Sequence, residues 1–104
     1  MSPCNIRFSP LAKQDLDGIH GYISNSLGSP IAGNNTVERI LDSIENLRRY
    51  PDSGTPLSSR YQIATNYRYV VAGNYLAFYR HEGNDLFVDR VLYSKSDYLR
   101  TLLE

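Results

Sequence analysis

Apolar positions along the chain change period, and the changes divide it into elements. Ile6-Arg7-Phe8 alternates and predicts a short first strand. Ser9-Pro10 then opens a helix: the serine hydroxyl suits an N-cap, and the proline stands where no backbone N–H is needed. Ala12, Leu16, Ile19 and Ile23 follow at steps of four, three and four, which gathers them on one helical face. Gly18 and Gly21 weaken this helix by about 1 kcal/mol each relative to alanine and point to close approach by a neighbouring element. Leu27-Gly28-Ser29-Pro30 ends it and repeats the Ser-Pro start. Val37, Ile40, Leu41, Ile44 and Leu47 form a second apolar stripe. Arg48 and Arg49 occupy its last turn, where cations suit the helix dipole, and Tyr50-Pro51 stops it. The pattern predicts a helical hairpin between residues 10 and 50.

Pro51-Asp52-Ser53-Gly54-Thr55-Pro56 reads as a turn-rich loop, and beyond it the period falls to two. Residues 67–72 and 75–80 predict two strands joined by the two-residue turn Gly73-Asn74. Glu82-Gly83-Asn84-Asp85 makes the next turn, and residues 86–93 predict a third strand. Residues 61–65 extend the first of these strands or pair separately, and residues 97–103 form a short terminal helix or tail. The order β-α-α-β-β-β predicts an α+β fold, one domain over residues 1–104. In it an N-terminal strand and a two-helix hairpin pack on a mainly antiparallel sheet.

The tight turn fixes the pairing of Ala72 with Tyr75, Val71 with Leu76, Val70 with Ala77 and Tyr69 with Phe78. One side of the hairpin then carries Arg68, Val70, Ala72, Tyr75, Ala77 and Tyr79. The other carries Tyr69, Val71, Leu76, Phe78 and Arg80. Both sides are apolar, and two helices cover only one. The pattern does not say which. An exposed apolar face marks an interaction site, so Tyr69, Val71, Leu76 and Phe78 are expected to meet a partner's amphipathic helix or added strand. The alternative is that the C-terminal segment folds back over them.

Composition narrows the function. Of 104 residues, 41% are hydrophobic and 21% charged, which describes a folded chain rather than a disordered one. Eleven Lys and Arg balance eleven Asp and Glu, so nucleic-acid contact has to rest on a local patch. Nine tyrosines and no tryptophan supply many half-buried amphipathic rings. The one cysteine, Cys4, expected in a frayed terminus, excludes an intramolecular disulfide and fits a cytoplasmic setting. No leader pattern or membrane-spanning run is expected. Nor is any cofactor or metal, since there is no Gly-rich phosphate loop and no metal-ligand spacing. His20 and His81 stand apart from each other and read as structural.

Four stretches together resemble the RelE/ParE superfamily of type II toxin–antitoxin toxins: Phe8-Ser9-Pro10-Leu11-Ala12-Lys13-Gln14-Asp15-Leu16, Leu47-Arg48-Arg49-Tyr50-Pro51-Asp52-Ser53-Gly54, Gly73-Asn74-Tyr75-Leu76-Ala77-Phe78-Tyr79-Arg80 and Asp89-Arg90-Val91-Leu92-Tyr93-Ser94-Lys95-Ser96-Asp97-Tyr98. They stand in the superfamily's order and span nearly the whole chain. The resemblance implies a toxin neutralised by a small cognate antitoxin in a hetero-oligomer. It leaves two targets open: DNA gyrase, as for ParE-like members, or ribosome-bound mRNA, which RelE-like members cut. A third reading is a non-toxic co-repressor that only binds its antitoxin.

A metal-free ribonuclease needs a group to activate the ribose hydroxyl, cations for the phosphorane charge and an acid for the leaving oxygen. The candidates for that chemistry are Arg68, Arg80, Lys95, Tyr93 and Tyr98, with Arg60 and Arg90 as phosphate contacts. The middle-strand arginine that the resemblance implies falls on Leu76, which cannot stabilise a phosphate. That replacement and the neutral charge favour the gyrase-directed reading. The plainer readings are that Arg68 and Arg80 pair with carboxylates or stack on tyrosines, that Arg90 is structural, and that Tyr93 and Tyr98 are packing residues.

Overall fold

The computed structural model describes residues 3–104; Met1 and Ser2, the first two residues of the expected 1–104 unit, lie outside the described residues. β1 (Asn5–Phe8) leads into α1 (Pro10–Gly21), where the Ser9 hydroxyl accepts from the Ala12 amide at 2.9 Å. One wide helical turn, Tyr22–Ser26, follows, with the Leu27 amide donating five residues back to Tyr22 at 3.1 Å. α2 (Pro30–Glu45) starts on the second Ser-Pro pair, and Ser29 Oγ accepts from the Ala32 amide at 3.2 Å. A 3₁₀ turn, Asn46–Arg48, ends it. The glycine that permits close packing is neither Gly18 nor Gly21. A Cβ at Gly18 would have open space, whereas one at Gly33 would overlap Ser24 Oγ and stand 3.2 Å from the His20 carbonyl.

The chain continues through β2 (Thr55–Pro56), α3 (Leu57–Tyr61), β3 (Arg68–Ala72), β4 (Tyr75–Glu82), β5 (Asp85–Tyr93) and α4 (Tyr98–Leu103). The five strands form one mixed sheet in the order β1-β5-β4-β3-β2, with β1 parallel to β5 and all other neighbours antiparallel. The β3–β4 register is the one the turn predicts, and Gly73 holds the φ of 59° that the turn needs. Residues 61–65 do not extend β3. A single helical turn at 57–61 anchors the fully buried Leu57, and Gln62 ends it in the left-handed region at φ 49°. Asp89 is an extra residue in β5: Phe78 faces Arg90 while Tyr79 faces Val88.

The sheet divides the interior. Val70, Ala72, Tyr75, Ala77 and Tyr79 face the helices and pack with Ile40, Ile44, Leu47, Leu86, Val88 and Val91. Cys4 belongs to this cluster at 6% exposure, and its amide donates to the Arg48 carbonyl at 3.0 Å, so it is built in rather than frayed. Tyr79 is fully buried; its hydroxyl donates to the Pro51 carbonyl at 2.8 Å and accepts from the Gly54 amide at 2.9 Å. Gly54 must be glycine, because a Cβ there would overlap the Tyr79 hydroxyl.

The opposite flank corrects an expectation. Tyr69, Leu76 and Phe78 are not left open: their exposures are 8%, 6% and 0%. Leu57 of α3 and Leu102 of α4 lie on them, flanked by Tyr61, Leu92, Tyr98 and Leu99. The physical reason is the pattern of the tail. Tyr98, Leu99 and Leu102 share one face of a helical turn, and the sheet offers them apolar area to bury. Only Val71 of the four expected contact residues stays exposed, at 62%, because β2 is too short to cover its edge of β3. Among the described residues no helix is long and apolar enough to cross a membrane.

Candidate functional site

The arginines proposed for phosphate chemistry are occupied by internal partners. Arg68 Nη1 donates to the carbonyls of Asp52 at 3.1 Å and Gly54 at 2.9 Å, pinning the loop before β2. Arg80 Nε donates to Asp89 Oδ2 at 2.7 Å and Nη1 to Glu82 Oε2 at 2.6 Å, while the guanidinium lies 4.9 Å from the centre of the Phe87 ring. Two carboxylates therefore face one cation. Asp89 also accepts from the Tyr67 hydroxyl at 2.8 Å. Burial and this carboxylate push the Tyr67 phenol up to about 12. Arg90 Nε and Nη2 donate to Asp15 at 2.8 and 2.9 Å. Hydrogen bonds to these carboxylates raise both Arg80 and Arg90 above the ordinary arginine range.

The remaining candidates are scattered. Tyr93 faces Tyr75 at one end of β4, five residues from Arg80, or about 17 Å along a strand. Lys95 stands exposed in the turn between β5 and α4. Tyr98 packs at 5.5 Å on Phe78 and shares a short hydrogen bond with Tyr61. Arg60 lies 5.4 Å over the Tyr61 ring and donates to its hydroxyl at 3.1 Å. Hydrogen bonds from Tyr98 and Arg60 lower the Tyr61 phenol, and the same Tyr61 contact raises Tyr98. Leu76, where the resemblance implies an arginine, lies in the apolar cluster under α4. His20 Nε2 meets Asn34 Oδ1 at 2.7 Å and ties α1 to α2. Among the described residues no three His, Cys, Asp or Glu side chains are placed to hold a metal.

The open surface lies elsewhere, in a cleft of about 1030 Å³ between the helical hairpin and the β3–β4 turn. Its lining includes Ile19, Ile23, Ala72 and Val91, of which Ile23, Ala72 and Val91 are buried. Tyr22, Leu27 and Tyr93 also line it and are 56%, 60% and 43% exposed. The Tyr75 and Tyr93 rings stand 5.8 Å apart. Burial first, then the neighbouring Tyr93 and Tyr22 phenols, raises the Tyr75 phenol. Arg39 lies against Gly73 on the same wall, exposed and in no ion pair among the described residues. Reading the sequence missed this cleft. The signal was the set of small residues that keep it open, Gly18, Ala32, Ala72 and Gly73, but they are spread over two helices, a strand and a turn.

The sequence profile of the ParE toxin of the type II toxin–antitoxin system parDE matches residues 6–98. The chain belongs to the ParE toxin family. A ParE-family toxin here has the α+β architecture of two solved toxin–antitoxin systems. The chromosomal ParDE system of P. aeruginosa superposes with a TM-score of 0.74 at 17% identity, over 88% of this chain and 97% of that one. The RelBE2 toxin–antitoxin complex of Mycobacterium tuberculosis superposes with a TM-score of 0.59 at 20% identity, over 89% and 93%. No curated protein matches the sequence significantly.

Proposed function

We propose that this ParE-family toxin is neutralised by a small antitoxin seated in the tyrosine-rimmed cleft, and that it arrests growth by binding DNA gyrase rather than by cutting RNA. The observation that carries the second half is the consumption of Arg68, Arg80 and Arg90 by internal carboxylates and carbonyls. A phosphorane needs preorganised cations free to meet developing charge, and each of these would first have to leave a partner.

The test is induced expression in bacterial cells followed by two readouts. Growth arrest with trapped gyrase–DNA cleavage complexes, and no codon-phased cuts by primer extension, is the expected result. Codon-phased cuts without cleavage complexes would reverse the assignment. The ribonuclease alternative has one local observation in its favour, the Arg60–Tyr61–Tyr98 cluster of a cation and two phenols.

The cleft fits an amphipathic helix: apolar residues between its walls, aromatic hydroxyls at its rim and, among the described residues, one unpaired cation, Arg39. An acidic side chain on the antitoxin would meet that cation. Arg39→Glu is expected to weaken the complex with the product of the neighbouring reading frame about 10- to 100-fold, the range of one reversed charge contact. Titration calorimetry checks this, and unchanged affinity would move the antitoxin to another surface.

A further inference from the structure

The one cysteine stands in an arrangement that the toxin reading does not use. Cys4 Sγ lies 3.6 Å from His81 Nε2, and His81 Nδ1 lies 3.0 Å from Asp52 Oδ1. Three separate parts of the chain meet here: the segment before β1, the end of β4 and the loop after α2. A carboxylate only accepts, so Asp52 fixes the His81 proton on Nδ1 and leaves Nε2 as an acceptor facing the sulfur. The spatial order of thiol, imidazole and carboxylate is that of an activated thiol.

Arg48 Nη1 donates to the Cys4 carbonyl at 3.0 Å and Arg48 Nε to Glu45 Oε1 at 2.7 Å, which fixes the backbone that carries the thiol. Arg68 Nε is 3.8 Å from Asp52 Oδ1 and keeps that carboxylate in place. The thiolate is the reactive form of cysteine, and an imidazole within reach of the sulfur can supply it by taking the proton. Cys4 is 6% exposed, whereas the His81 side chain is 24% exposed, so the approach is from the histidine side and admits only small reagents.

We propose that Cys4 is a nucleophilic thiol, activated by His81 and oriented through Asp52, and a site of modification by small electrophiles of the hydroperoxide class. In the step, Sγ passes its proton to His81 Nε2 and attacks the near peroxide oxygen. The S–O bond forms as the O–O bond breaks. Sulfur is oxidised by two electrons to the sulfenic acid, and the departing hydroxide or alkoxide takes the proton from His81 and leaves as water or alcohol. The inference is independent of whether the toxin's target is gyrase or the ribosome.

The experiment treats the native full-length protein with hydrogen peroxide at pH 7, traps sulfenic acid with dimedone and locates the adduct by peptide mass. Cys4→Ser gives the blank. The wild type is expected to acquire the adduct at Cys4 about tenfold faster than His81→Gln, a conservative share of what a positioned base contributes. Asp52→Asn should fall between them, and it carries the comparison if His81→Gln unfolds. Equal rates in the wild type and the two variants would overturn the proposal. So would a native thiol that stays unmodified while the urea-unfolded chain reacts.

Discussion

Asp15→Ala is expected to destabilise the toxin by about 3 kcal/mol, the lower end of what breaking a buried ion pair costs. Asp15 lies on α1 with its side chain 13% exposed, and Arg90 on β5 with its side chain 20% exposed, so solvent screens neither strongly. The carboxylate accepts three bonds: from Arg90 Nε at 2.8 Å, from Arg90 Nη2 at 2.9 Å and from the Val91 amide at 2.9 Å. Alanine removes all three at once. A guanidinium is left poorly solvated and a strand amide unpaired, and the penalty comes from those orphaned groups more than from the lost attraction. The same logic gives the control. Asp15→Ala combined with Arg90→Met removes the stranded charge and is expected to recover at least half of the loss. Urea unfolding of the single and double variants measures both. A double variant no more stable than Asp15→Ala would show that the carboxylate acts through Val91 alone.

The pair also shows what the sequence could and could not convey. Arg90 beside Asp89 reads as a local charge pair, yet its partner is Asp15, seventy-five positions away. Asp89 instead serves Arg80 and Tyr67. The bulge at Asp89 re-aims both residues, and a two-residue alternation carries no mark of it. Local signals fared better. Both Ser-Pro starts cap their helices as predicted, and Gly73-Asn74 sets the register, because capping and tight turns are decided within four residues. The parallel pairing of β1 with β5 and the one-turn helix α3 depend on distant contacts, and neither is written in a period.

The candidate site divides along the same line. Arg68, Arg80 and Arg90 are visible as cations on strands, but their neutralisation depends on which carboxylates and carbonyls the fold brings to them. Residue type alone therefore overstates their freedom. The cleft was invisible for the opposite reason. Its character lies in the space left between Gly18, Ala32 and Ala72, and absence of side-chain volume has no periodic signature. A toxin with zero formal charge gains little from long-range steering toward nucleic acid. Recognition by shape and apolar contact, as proposed for the tyrosine-rimmed cleft, needs no such steering.

Phe78→Ala is the substitution with the largest expected effect, a loss of about 3 to 5 kcal/mol, typical of deleting a buried aromatic ring. Phe78 is fully buried on β4, with Tyr69 6.0 Å away on the neighbouring strand and Tyr98 5.5 Å away on α4. The ring is the floor on which the tail rests. A six-residue helix has no stability of its own in water, so α4 exists because Leu102 and Tyr98 find apolar surface there. Removing the ring leaves a cavity that Leu57 and Leu76 cannot fill without leaving their own contacts. The loss should therefore have two parts: a lower urea midpoint for the whole protein, and release of the tail, read as faster proteolysis after residue 94 under native conditions. The tail's release distinguishes the flank's role from general core loss. Val88→Ala, on the helix-facing side of the sheet, should lower the midpoint without exposing the tail. If both variants are cut equally fast, α4 is held by the fold as a whole and not by the aromatic flank beneath it.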